Sequence, residues 1–370
     1  MIIGIPKEIM KDENRVAMAP VGVEELTRAD HQVLIERGAG LGTAISDSAY
    51  QEVNGEIVDT AEEIYRRSNC ILKVKEPQRN EYDWLREGHI LFCYLHLAVN
   101  RELTQELIKR RVVALGYETV QDENGTLPLL TPMSEVAGRM AIQEGAKCLE
   151  KPVGGRGILL GGVTGVKPAT VVILGGGVVG ANAAKVAAGL GACVIILDVN
   201  QSRLRYLSDI MPRNVVTLAS HAHNIRDTVR SADLVITAAL TRGERAPTLI
   251  SEGLVRQMHD GCAIVDVAID QGGCLETSRP TTHSQPTYVV DGVVHYCVTN
   301  MPGAVAGTST YALTNVTLPY VYEIANKGLR EALKQDPSLR KGLNSMEGKC
   351  TLKPIAQQYG FSYTPAEELL

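Results

Sequence analysis

Short apolar runs rich in Val and Ile alternate along this chain with segments whose apolar positions recur at helical spacing. MIIGIP reads as a strand, Val21 to Arg28 as a helix, and His31 to Glu36 as the next strand. Ala61 to Arg67 is helical, and Cys70 to Val74 is a strand ending at Lys75. HILFCYLH, residues 89–96, is a further strand; Glu102 to Arg110 is helical, and VVALGYETV is a strand again. Strands and helices alternating at this pitch predict a parallel sheet.

A long amphipathic segment, Ser134 to Glu150, follows as a helix, with Ser134 as its N-cap and Pro132 barring an earlier start. Beyond a glycine-rich stretch, GGRGILLGGVTGV, come the apolar runs VVIL, CVIIL, VVTLA, DLVITAA and CAIVDVA. Their near-continuous apolar character predicts strands covered on both faces. NMPGAVAGTST, residues 300–310, reads as a loop. A helical region then runs from Ser309 to about Lys334, interrupted at Pro319, and packs back on the first domain.

The stretch from Val171 to Asp198 carries the clearest chemistry. VVIL runs directly into Gly175, Gly176, Gly177, Val178, Val179 and Gly180; a small-residue helix and a second strand ending on Asp198 follow. In this G-x-G-x-x-G spacing Gly175 permits the tight turn, Gly177 lets backbone N–H groups approach a pyrophosphate, and Gly180 lets helix and strand pack closely. The pattern predicts a dinucleotide site. A carboxylate at Asp198 accepts hydrogen bonds from ribose hydroxyls and repels a 2′-phosphate, favouring NAD, whereas Arg203 nearby is suited to hold that phosphate. The fold expected from the pattern is α/β, with parallel sheets in two units, the second carrying the dinucleotide site. One domain is discontinuous, 1–128 with 307–370, and the cofactor domain is 129–306.

Composition narrows the class. At 370 residues, with 45% apolar and 21% charged residues and a formal charge of −5, the chain is ordinary for a two-domain globular protein and has no electrostatic footprint for nucleic acid. No apolar stretch is long enough for a membrane span, and the N-terminus lacks a signal-peptide pattern. None of the eight cysteines forms a C-x-x-C pair, which fits the reduced thiols of a cytoplasmic protein rather than a disulfide or zinc framework.

In an open parallel sheet, ligands bind beyond the carboxyl ends of the strands. Arg15 follows the first strand, Lys75 ends ILKVK and His96 ends ILFCYLH. Two cations and an imidazole at such ends suit a small carboxylate substrate with an acid/base. Taken singly, Arg15 and Lys75 read equally well as surface charges, and His96 as a core histidine. Asp266 and Asp270 stand at the end of CAIVDVAID, where a charge orients water or stabilises a charged intermediate, or merely caps a turn. The remaining histidines have no metal-ligand spacing, and no metal site is expected.

GIPKEIMKDENRVAMAP, ILKVKEP, FCYLHLA, PMSEVAGRMA, ILLGGVTGV, VVILGGGVVG and NMPGAVAGTSTYALTN together resemble the family of alanine dehydrogenases and transhydrogenase α subunits, in order and over essentially the whole chain. The resemblance implies two Rossmann-like domains built on parallel sheets around a substrate and cofactor cleft, and NAD-dependent conversion of L-alanine to pyruvate and ammonium by a homohexamer; the alternative is a soluble NAD(H)-binding subunit of a proton-translocating transhydrogenase. It implies that Arg15 and Lys75 hold the substrate, that His96 is the general acid/base and that Asp270 is the second catalytic residue. For the cofactor it points to Ser134, Val178, Val179, Asp198, Arg203, Ser220, Ala239, Leu240, Val267, Ala268, Ile269, Asp270, Arg279, Val298, Thr299, Asn300 and Met301. Some relatives place a metal near Glu323 with a histidine four residues on; here that position is Lys327.

Overall fold

The computed structural model describes residues 1–239 and 245–370; Leu240 lies outside them. The chain forms two compact units, Met1–Met133 with Gly303–Leu370, and Ser134–Pro302. Its strands in chain order are β1 (Ile2–Ile5), β2 (Gln32–Glu36), β3 (Glu56–Val58), β4 (Cys70–Leu72), β5 (Ile90–Cys93) and β6 (Val113–Gly116). The second unit contributes β7 (Thr170–Leu174), β8 (Cys193–Asp198), β9 (Val215–Ala219), β10 (Leu234–Thr237), β11 (Ala263–Asp266), β12 (Thr287–Val290) and β13 (Val293–Tyr296). The chain ends with β14 (Leu343–Met346) and β15 (Lys349–Cys350), both in the first unit.

Both sheets are mostly parallel. In the first the order is β15-β14-β6-β5-β4-β1-β2-β3, with β14 antiparallel to its neighbours β6 and β15 and the other pairings parallel among the described residues. In the second it is β12-β13-β11-β10-β7-β8-β9, with β12 the one antiparallel strand among the described residues. The strand order reverses between β1 and β4 in one sheet and between β7 and β10 in the other. In a doubly wound sheet such a reversal opens a crevice at the carboxyl ends of the two central strands. Burial of the central strands fits their apolar runs: β5, β10 and β11 are buried throughout. Each unit has its own apolar core, around Ile71, Leu91 and Leu107 in the first and Val172, Val235 and Ile264 in the second.

Several elements depart from the pattern reading. The helix expected from Ser134 begins at Thr131 and runs to Cys148, so Ser134 lies inside it and is not its cap. Pro132 is tolerated because first-turn N–H groups have no helical partner to lose. VVTLA forms the edge strand β9 and is only half-buried, with Val216 51% exposed. VVALGYETV is a strand only to Gly116; Tyr117–Thr119 is a 3₁₀ turn. The expected loop over 300–310 is a 3₁₀ turn, Met301–Val305, leading into a helix at Ala306. That helix runs unbroken through Pro319 to Lys327, because Leu313, Thr317, Val321 and Ile324 keep a buried stripe across the proline. Packing along that stripe offsets the roughly 3 kcal/mol cost of an interior proline. The break comes instead at Gly328, with φ 78°.

Candidate active site

In the first unit the carboxyl ends of β1, β4 and β5 are neighbours, and each leads to one of the three predicted side chains. Arg15 follows β1 in a buried irregular segment and is itself 3% exposed. Its Nε and Nη2 donate to the two carboxylate oxygens of Glu13 at 2.8 and 2.6 Å, and Nη1 donates to the Met133 thioether at 3.1 Å. Burial alone lowers the guanidinium pKa, but the Glu13 hydrogen bonds and charge reverse this and raise it. Lys75, half-buried beyond β4, makes no side-chain ion pair among the described residues. Its backbone is fixed from below: Glu8 Oε1 accepts from Val74 N–H at 2.6 Å and Lys75 N–H at 3.4 Å. Glu8 also faces the fully buried Lys73, whose Nζ lies 3.3 Å from Glu8 and 3.0 Å from Glu81.

His96 follows β5 in the left-handed region, φ 49°. That conformation costs about 1–2 kcal/mol for a residue with a Cβ. Glu118 offsets it, accepting N–H bonds from Leu95 at 3.0 Å and His96 at 2.7 Å. The ring Nδ1 lies 3.0 Å from Glu76 Oε2. Burial raises the Glu76 carboxyl, but the His96 hydrogen bond and charge outweigh it and leave it below its ordinary value. An ionised carboxylate only accepts, so Nδ1 carries a proton in either charge state of the ring, and whenever the ring is neutral Nε2 presents the lone pair.

In the second unit the glycine turn closes between β7 and β10. Gly175 has φ 106°, and a Cβ there would meet the carbonyl carbon of Ala238 at 2.7 Å and the nitrogen of Ala239 at 2.8 Å. A Cβ on Gly180 would sit 1.8 Å from the Gly175 carbonyl oxygen, whereas one on Gly177 would meet nothing within 4 Å. Two glycines thus fold the turn and the third leaves open space at the start of the helix Val178–Gly189, where Val178 is exposed and Val179 half-buried. This cradle fits a dinucleotide pyrophosphate.

Asp198 ends β8; its Oδ2 accepts from Gly176 N–H at 2.6 Å and its Oδ1 from Asn200 N–H at 2.7 Å. Arg203 Nε donates to the Gly176 carbonyl at 2.5 Å and its guanidinium lies 5.0 Å from the Tyr206 ring centre, so it reads the turn rather than solvent. Ser220 follows β9 and donates its N–H to the Asp198 carbonyl at 2.9 Å. Val267, Ala268, Ile269 and Asp270 form a 3₁₀ turn after β11. Exposed Asp270 accepts from Asn300 N–H at 3.4 Å, drawing in the segment Val298, Thr299, Asn300 and Met301. Arg279 is exposed and stacks 4.2 Å over the Tyr288 ring. Ser134, at the start of this unit, is half-buried.

Asp266 has a different place from Asp270. It is fully buried and accepts from Thr237 and Ser278 hydroxyls and from Ala268 and Cys274 N–H groups, so it ties β10 and the loops after β11 together. Sequence reasoning missed Glu8, Glu13, Lys73, Glu76 and Glu118. Glu118 had a signal, since it follows the next parallel strand; Lys73 had another, as a charge inside an apolar run. Near Glu323, Lys327 forms an ion pair with that carboxylate and donates to Gln335 at 2.8 Å. An ammonium group there does not fit a divalent cation. Seven of the eight cysteines are buried and Cys193 is exposed.

The chain matches the family models described as alanine dehydrogenase/PNT, N-terminal domain, over residues 4–137, and alanine dehydrogenase/PNT, C-terminal domain, over residues 141–353. It is 55% identical to an alanine dehydrogenase of Methanococcus maripaludis, over all of both chains. It is equally close to one of Bacillus subtilis, covering all of this chain and 98% of that one. A solved structure titled L-alanine dehydrogenase superposes with a TM-score of 0.94 at 50% identity, over 97% of this chain and 99% of that one. A transhydrogenase structure from Sinorhizobium meliloti shares the fold, with a TM-score of 0.83 at 22% identity over 95% and 100% of the two chains. With both family models matched in sequence over most of its length and relatives aligned end to end at 55% identity, the chain belongs to the alanine dehydrogenase/PNT family.

Proposed function

We propose that this chain catalyses the reversible oxidative deamination of L-alanine to pyruvate and ammonium with NAD, with Arg15, Lys75, His96 and Asp270 at the reacting centre. The observation that carries the reading is the end-to-end likeness to alanine dehydrogenases in a chain whose first sheet sends Arg15, Lys75 and His96 from the carboxyl ends of three adjacent strands. A hydride-relay subunit has no need of two cations for a small carboxylate.

Gly175, Gly177, Gly180, Val178, Val179, Asp198, Arg203 and Ser220, with the turn Val267–Asp270, the segment Val298–Met301, Ser134, Ala239, Leu240 and Arg279, would hold the cofactor. Bound NAD supplies the two-electron acceptor for the substrate Cα. Arg15 exchanges a weak thioether acceptor on Nη1 for the substrate carboxylate, and Lys75 adds a second cation. Their joint hold orients the Cα hydrogen. His96, with Nδ1–H held by Glu76, takes a proton from the substrate ammonium at Nε2. Freed of that proton, the nitrogen lone pair pushes electrons as the Cα–H bond breaks, leaving an iminium; His96 releases the first proton to solvent and, neutral again, takes a proton from the water that adds to the iminium carbon. In this reading Asp270 is the second catalytic residue, its carboxylate stabilising the positive charge of the iminium. The same reading includes a cytoplasmic homohexamer, which sedimentation analysis tests.

NADH formation from L-alanine and NAD at mildly alkaline pH, beside D-alanine, L-serine and NADP, tests the reaction. Turnover confined to L-alanine and NAD supports it. Tight NADH binding without turnover moves the reading to a transhydrogenase-type subunit.

A further inference from the structure

Arg15 stands in a segment that is buried without regular secondary structure: Val16, Ala17, Met18 and Ala19 are each at most 1% exposed. Backbone groups in such a segment must find partners outside a helix or sheet ladder. Three side chains supply them. Val16 N–H donates to Thr310 Oγ1 at 3.2 Å, Ala19 N–H donates to Thr314 Oγ1 at 2.9 Å, and the Tyr50 hydroxyl donates to the Met18 carbonyl at 2.9 Å. Thr310 and Thr314 are fully buried and stand four residues apart, on one face of the helix Ala306–Lys327. β-Branching confines each hydroxyl to two χ1 settings in a helix, so little rotamer freedom is lost when the segment docks.

We infer that Thr310 is a positioning residue for Arg15. The two peptides that flank Arg15 are both held by side chains: its own N–H by Glu13 Oε1 at 3.0 Å, and the following N–H by Thr310. Glu13 also grips the guanidinium, so the aim of Arg15 rests on a local anchor and, through the next peptide, on one nearly three hundred residues away. Removing the Thr310 hydroxyl leaves the Val16 N–H buried without its acceptor; the peptide rotates to find another, and the guanidinium rotates with it. The proposal rests on the reading of Arg15 as the residue that binds the substrate carboxylate.

The test uses Thr310→Val and Thr310→Ser, each in the native chain and in an Arg15→Ala background, with KM for L-alanine and for NAD measured separately. Thr310→Val is expected to raise the L-alanine KM roughly tenfold, the worth of one lost buried hydrogen bond, and to leave the NAD KM within about twofold. Thr310→Ser restores the native value, and in the Arg15→Ala background Thr310→Val adds nothing, because the two changes act through one contact. An unchanged L-alanine KM, or an equal rise with and without Arg15, overturns the proposal. Should Thr310→Val fail to fold, Thr310→Ala, which likewise lacks the hydroxyl, carries the same comparison. Arg15→Ala with an unchanged L-alanine KM refutes instead the reading of Arg15, and is seen before Thr310 is touched.

Discussion

The Nδ1 of His96 lies 3.0 Å from Glu76 Oε2, joining an imidazole that is 42% exposed to a carboxylate that is only 15% exposed. The buried partner stays ionised because the imidazole offsets its desolvation, and in return it fixes the imidazole tautomer. A group that must accept a proton at Nε2 depends on that choice. Glu76→Gln is therefore expected to lower kcat roughly a hundredfold or more, since an amide can present either its oxygen or its NH₂ to the ring. His96→Ala loses most turnover with the fold intact, and adding Glu76→Gln to it costs nothing further. Steady-state kinetics with NADH binding as a control decides; a native kcat in Glu76→Gln refutes the coupling.

Asp198 links the glycine turn to the end of β8 through two backbone N–H groups, one from Gly176 and one from Asn200. Its carboxylate therefore shapes the turn, and under the proposed function it has a second role, repelling a 2′-phosphate. Asp198→Ala is expected to raise the NAD KM and to narrow the NAD over NADP preference in kcat/KM roughly tenfold, with Arg203 left beside the vacated position. Unchanged discrimination against NADP rules out the second role.

The glycine turn is legible in the sequence because each glycine answers one local steric demand: positive φ at Gly175, contact with the Gly175 carbonyl at Gly180, and open space at Gly177. Arg15, Lys75 and His96 are legible for a related reason, since the end of a parallel strand can be read from an apolar run. Their supports are not. Whether Glu118 reaches His96 depends on β6 lying beside β5, and Thr310 reaches Val16 only after the chain has returned from the second unit. Local signals also misplace boundaries wherever packing overrules propensity, as at Pro319, where a buried stripe carries the helix through a residue that lacks an N–H.

Asp266 makes a prediction of the opposite kind, on stability rather than chemistry. Four donors converge on its buried carboxylate from β10, the 3₁₀ turn and the segment after it. Asp266→Ala leaves two N–H groups and two hydroxyls in the core without an acceptor. The expected loss is about 3–5 kcal/mol, seen as a lower denaturation midpoint, with part of the loss relieved as the hydroxyls turn to other partners. Asp266→Asn keeps two acceptor lone pairs and loses less. A native midpoint in Asp266→Ala excludes the role.

His89 sets the acid side of the stability profile. Its ring is fully buried, with Nδ1 accepting from the Arg86 N–H at 3.3 Å. Burial, helped by the Arg86 charge, pushes its pKa from 6.5 down to about 4. Above about pH 6.5 the ring is neutral in folded and unfolded chains alike and imposes no pH dependence. As pH falls from there to about 4, the unfolded chain takes up a proton that the folded chain refuses, so stability drops through that window and levels off below it. The span is worth about 3 kcal/mol. His89→Gln has no proton to gain, so its unfolding free energy, measured by denaturant titration at pH 7 and again at 4.5, should fall by about 2–3 kcal/mol less than that of the native chain over the same interval. Other carboxylates titrate in both proteins and cancel in the difference. Parallel curves for the two proteins would assign the acid sensitivity to those carboxylates and remove His89 from the account.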